Sequence, residues 1–131
     1  MNGMRQNVFS GGQWEDEVGY SRAVKVGNQV SVSGTAAVQP DGSVYAPGDM
    51  YAQAQRCFEL IDRALQSAGA TMLDVVRTRI YVTDISQWQE AGKAHSERFQ
   101  SVRPATTLVA VSALIHPDMV IEVEADAIIN H

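Results

Sequence analysis

Along residues 121–129, IEVEADAII, apolar side chains take every odd position, and acids stand at 122, 124 and 126. Strict alternation marks a strand with one buried face, so Glu122, Glu124 and Asp126 share a row on the other face. The same period runs through YSRAVKVG and QVSVSGTAAV, which flank Gly27 and Asn28 as the arms of a hairpin. DVVRTRIYVTD, rich in β-branched residues, predicts a further strand. Val76, Thr78, Ile80 and Val82 fall on one side of it, and Val75, Arg77, Arg79 and Tyr81 on the other. ATTLVAVSAL follows Pro104, a residue suited to a strand's beginning because it has no N–H to donate. IHPD then turns the chain into a last strand, MVIEVEADAII.

Two stretches change period. Ala54, Cys57, Phe58, Ile61, Leu65 and Ala68 recur at steps of three and four, with Asp49 as N-cap and Gly69 just past the end. Gln53, Gln55, Glu59, Asp62, Arg63 and Gln66 then face solvent. A second helix is predicted from a capping box of Ser86 and Gln89 to about Phe99, with Trp88, Ala91, His95 and Phe99 on one stripe. Residues 1–17 and the loop QPDGSVYAPGD carry no regular pattern. The order β-β-α-β-α-β-β lets two helices cover one face of the sheet, an α+β layer arrangement.

That face should receive Ile121, Val123, Ala125 and Ala127 with Val76, Ile80 and Val82. The open face collects the three acids with Arg77, Arg79 and Tyr81, together with Val75, Val120, Ile128 and either Leu108 or Val109. Exposed ion pairs contribute at most about 1 kcal/mol each. A face mixing pairable charge with apolar groups fits a subunit interface better than open solvent.

Composition narrows the classes. The 131 residues, 45% apolar, suit a single domain over 1–131 with a core needing no disulfide. Cys57 is the lone cysteine, which excludes an internal disulfide and points to a reducing compartment. No signal-peptide core and no membrane-length apolar run is present, so a soluble cytoplasmic protein is expected. A net charge of −5 argues against a nucleic-acid surface. Cys57, His95, His116 and His131 lack metal-ligand spacing; His95 reads as a structural histidine and Cys57 as a small buried hydrophobe. No phosphate loop, dinucleotide fingerprint or nucleophile elbow occurs.

YSRAVKVGNQVSVSGTAAV, DVVRTRIYVTD, RPATT and IEVEADAI, in that order and spacing, resemble the Rid family of reactive intermediate deaminases, also called YjgF-like or L-PSP proteins. The resemblance runs from about Phe9 to Ile129. It implies a chorismate-mutase-like fold, a mixed sheet with two helices on one face. It implies a homotrimer with the open faces turned inward and a cleft for a small carbonyl or imine ligand between protomers. It also implies hydrolysis of imines and enamines to ketoacids and ammonia without a cofactor. Carried over by position, Glu122 matches the water-positioning acid and Tyr20 the hairpin tyrosine. Ser33 and Gly34 match the small-residue end of the second strand, and Tyr81 an aromatic position near the cleft. Thr106 and Thr107 line it. The departure is Thr106, where deaminating members carry an arginine that clamps the substrate carboxylate.

Each candidate has a plainer reading. Glu122 serves either as the base or as an ion-pair partner of Arg77 or Arg79. Tyr20 and Trp14 serve either the cleft or ordinary packing. Arg22 and Arg79 are the two arginines that could replace the missing charge. A trimer that binds a metabolite without turning it over is the rival function, and endoribonuclease action is a third that the acidic balance disfavours.

Overall fold

The computed structural model describes residues 4–131. Six strands form one mixed sheet in the order β1-β2-β3-β6-β4-β5. They are β1 (Arg5–Val8), β2 (Ala23–Val26), β3 (Gln29–Ala36), β4 (Val75–Val82), β5 (Ala105–Ala110) and β6 (Ile121–Ile128). The helices are α1 (Gln13–Val18), α2 (Met50–Ser67) and α3 (Trp88–Phe99). All neighbours pair antiparallel except β4 and β5, which α3 joins as a parallel crossover.

The alternation in β6 is realised as expected. Ile121, Val123, Ala125 and Ala127 are buried under α2, while Glu122, Glu124 and Asp126 are half-buried on the far side. Residues opposite one another in a ladder share a face, so Tyr81 stands beside Glu122 and Arg79 beside Glu124. Arg79 Nη1 bonds Asp126 at 3.1 Å and Glu124 at 3.3 Å. Arg77 instead donates to Thr107 Oγ1 at 2.6 Å. Leu108 packs on the core, which leaves Val109 as the outward residue.

Asp49 caps α2, accepting from Ala52 N at 3.0 Å. Gly69 follows the helix with φ 84°, a conformation open to glycine at little steric cost.

Several expectations are corrected. Residues 4–17 are not wholly irregular, since they hold β1 and α1, and a third helix therefore joins the expected two. Residues 1–3, included in that expectation, lie outside the described residues. In β4 the register shifts between Val75 and Arg77. This bulge reverses the assignments, so that Val75 is buried at 3% exposure and Val76 is open at 44%. Val120 packs against the core rather than the open face. No side-chain bond caps α3, so the Ser86–Gln89 box is absent; Asp84 accepts from Ser86 N and caps the short 3-10 turn Ile85–Gln87. Trp88 leaves its stripe and is exposed, and Ala94 takes the buried position.

Gln53 is fully buried rather than solvent-facing. Its amide donates to Asp118 O at 2.8 Å and Ala46 O at 3.1 Å, and its carbonyl accepts from Val120 N at 3.0 Å. One side chain thus ties α2 to the loop that precedes it and to the loop that leads into β6. Gln53→Leu would leave these backbone groups without a partner, and each buried orphan costs about 1–3 kcal/mol. Chemical denaturation should show a loss of about 2–4 kcal/mol.

Candidate active cleft

A cavity of about 750 Å³ lies where the N-terminal segment, the β2–β3 hairpin and α2 meet. Its wall includes Glu122, Tyr20, Arg22, Ser33, Gly34 and Glu15. Cavities of about 330 and 440 Å³ at the outer edges of α2 hold none of these residues.

The local wall is built by an irregularity in β3. Its register against β6 shifts between Val32 and Thr35, so Ser33 and Gly34 leave the regular ladder. Ser33 Oγ donates to Ser21 O at 2.7 Å, and Thr35 Oγ1 to Ser33 O at 2.8 Å. Gly34 needs to be glycine because of a close approach rather than an unusual backbone angle. A Cβ there would lie 2.5 Å from Glu122 Oε2. Glu122 therefore rests against the bare Cα of Gly34.

Burial raises the pKa of Glu122 above the ordinary glutamate value; the positive charge of Arg22 opposes that rise and Glu124 adds to it. A carboxyl so placed, once ionised, binds a proton more tightly than one in water, which makes it the stronger base. Arg22 is nearly enclosed, with its guanidinium 5.7 Å from the centre of the Tyr20 ring. Glu15, 6% exposed, is held by Ser10 through both its amide N and its hydroxyl. This ties α1 to the segment at the mouth of the cleft.

Six of the sequence candidates, Glu122, Tyr20, Ser33, Gly34, Trp14 and Arg22, therefore meet in one cleft. Tyr81 lies opposite Glu122 in the ladder but outside the cleft wall, with its phenol pKa raised first by burial and then by Glu124. Thr106 and Thr107 stand apart on β5. Thr106 Oγ1 is 2.8 Å from the hydroxyl of buried Thr78 and 3.4 Å from His95 Nε2, which puts it on the helix-covered side of the sheet. Thr78 Oγ1 also contacts His95 Nε2 at 2.9 Å, and burial lowers the pKa of that imidazole. His95 further packs edge-on against Phe58. Arg103 turns away, its Nε donating to Gln100 O at 3.1 Å. Of the two rival arginines, Arg22 lines the cleft and Arg79 is engaged by acids on the open face. Phe9, Ile115 and Met119 also line the cleft and carry no pattern that singles them out in sequence.

Cys57 is fully buried and its thiol pKa is pushed far upward, chiefly by burial, so it is not a nucleophile at neutral pH. Among the described residues no group of three or more histidine, cysteine, aspartate or glutamate side chains could hold a metal ion. No described helix is long and apolar enough to cross a membrane.

Residues 13–129 match the family described as Endoribonuclease L-PSP. The chain belongs to the YjgF/L-PSP family. A YjgF/YER057c/UK114 family member from Mycobacterium tuberculosis is 47% identical and superposes with a TM-score of 0.88, covering 96% of this chain and 100% of that one. A RutC family protein from Pyrococcus abyssi is 37% identical over 82% of this chain and 84% of its own length. The TdcF protein of Escherichia coli, solved with bound serine, is 26% identical with a TM-score of 0.78, covering 85% and 88% of the two chains. The family match thus spans β2 to β6, all three helices, and every residue of the cleft wall from Gln13 onward, and leaves β1 outside it.

Proposed function

We propose that the cleft hydrolyses a small imine or enamine to a carbonyl compound and ammonia, with Glu122 as the base. The observation that carries this reading is Glu122 itself, a half-buried carboxyl of raised pKa held in a concave site beside Tyr20 and Ser33. Water adds to the imine carbon, and the C=N π electrons pass to nitrogen. Glu122 takes one proton from the water and returns it to nitrogen, giving a carbinolamine. It then carries the hydroxyl proton to the same nitrogen as the oxygen lone pair forms C=O, the C–N bond breaks and ammonia leaves. Water and substrate are the only reactants. The serine bound by the Escherichia coli relative supports a small amino-acid-derived ligand.

The protein works in this reading as a homotrimer. Its open sheet face forms the seam, and a neighbouring protomer closes each cleft. The half-buried charges of that face, and Val76, Val109 and Ile128 at 44%, 41% and 43% exposure, support such a seam.

Thr106 favours a second reading, a trimer that binds a metabolite without turnover. It is uncharged, and its hydroxyl is engaged by Thr78 and His95. Following ketoacid release from freshly generated iminopyruvate and a panel of bulkier or uncharged imines separates the two. Hydrolysis is expected above the solvent rate for at least one. Binding without release of product for every compound would leave the second reading standing. Because Glu122 must be ionised to act, kcat/KM should fall on the acid side at a pH above the ordinary glutamate pKa of about 4.3. Such a limb at or below that value would contradict a buried base.

A further inference from the structure

We propose that Arg22 is a positioning residue for the cleft carboxylate: through Gly34 it fixes the wall on which Glu122 rests, and its guanidinium is the cation that faces that carboxylate. The inference rests on the reading of Glu122 as the base. Arg22 Nη2 donates to Gly34 O at 3.0 Å and Nη1 to Thr35 Oγ1 at 3.2 Å, so a two-point grip holds β3 where its register shifts. Glu122 Oε2 occupies the space a side chain on Gly34 would fill. Both charged groups thus bear on the same glycine.

Charge bookkeeping points the same way. The Arg22 side chain is 14% exposed and its Nε has no hydrogen-bond partner. The nearest acid across from Nε is Glu15, at 3.9 Å, and that carboxylate is already held by Ser10. Glu15 is thus a loose ion-pair partner that makes no hydrogen bond to the guanidinium. A buried charge so weakly paired is costly, and an ionised Glu122 lessens that cost. The other groups that interact with Glu122 are Glu124 on its own strand, Tyr81 opposite it and Cys57 from α2, while Arg56 of α2 lines the same cleft. Burial raises the Glu122 pKa, Glu124 adds to the rise, and Arg22 is the cation that lowers it.

The test is carbon-13 NMR titration of glutamate-labelled protein, with the Glu122 signal assigned by its loss in Glu122→Gln. In Arg22→Gln the Glu122 titration should move to higher pH. Arg22→Lys keeps the charge and loses the two-point grip. It should leave the titration near that of the wild type and lower kcat. An unmoved titration in Arg22→Gln, or full kcat in Arg22→Lys, overturns the proposal. The titration needs no substrate, so it still reads the Arg22–Glu122 coupling if imine hydrolysis is not the reaction.

Discussion

Glu122→Gln is expected to remove the catalysed part of imine hydrolysis, a loss of about 10²–10⁴-fold for a general base. The amide keeps the shape against Gly34 and cannot take a proton from water. The fold should not suffer. A carboxyl whose native pKa is raised adds stability below its unfolded pKa, and that contribution is lost as pH rises through the native value. At neutral pH the native state therefore pays to keep Glu122 charged, and the neutral variant escapes that cost. Ketoacid release and thermal melting at pH 7 should diverge, with the rate abolished and Tm equal or higher. A parallel fall in both would assign Glu122 to structure instead.

Gly34→Ala should produce the second largest effect. The new methyl would stand 2.5 Å from Glu122 Oε2 and 3.1 Å from its Cδ, so the carboxylate must swing away. Gly34 is not among the residues of positive φ, so alanine fits its backbone. The atom displaced is the free end of a flexible side chain, and stability should change by no more than about 1 kcal/mol. Moving a reacting group by about 1 Å can cost on the order of 10²-fold in rate. Steady-state kinetics should show a kcat loss of that order beside a normal denaturation curve. Full activity would mean that the carboxylate's present position is not the working one.

Much of the fold is legible because β6 lies at the centre of the sheet, between β3 and β4. Its period of two is set by a helix layer on one side and a polar row on the other. The neighbouring strand was misread at one point only, Val75 and Val76, because a bulge inserts a residue without changing composition. Gln53 was hidden for another reason. Helical periodicity treats glutamine as a surface residue, and its partners Ala46, Asp118 and Val120 come from loops that the pattern cannot bring together. β1 escaped notice because only Val8 of its four residues is buried.

The candidate site divides in the same way. Tyr20, Ser33, Gly34 and Glu122 were named through the family resemblance. Alternation places Glu122 on its face of β6 but carries no sign of the register shift in β3 that brings Ser33 and Gly34 to it. Thr106 and Thr107 lie on the far edge strand, on opposite sides of the sheet, as their bonds to Thr78 and Arg77 show. They could join a cleft only across a protomer boundary. Arg22 and Arg79 looked equivalent in sequence, and the distinction between them depends on which acids each meets in space.

The most direct test is a crystal of the protein soaked in a small ketoacid, the product of the proposed reaction. Density for the ligand is expected in the cleft, with its carbonyl carbon within one water of Glu122, in contact with the Tyr20 side, and with a second protomer closing over it. Ligand bound elsewhere with the Glu122 cleft left open to solvent, at a concentration that saturates binding in solution, would contradict the assignment of this carboxylate as the reactive centre.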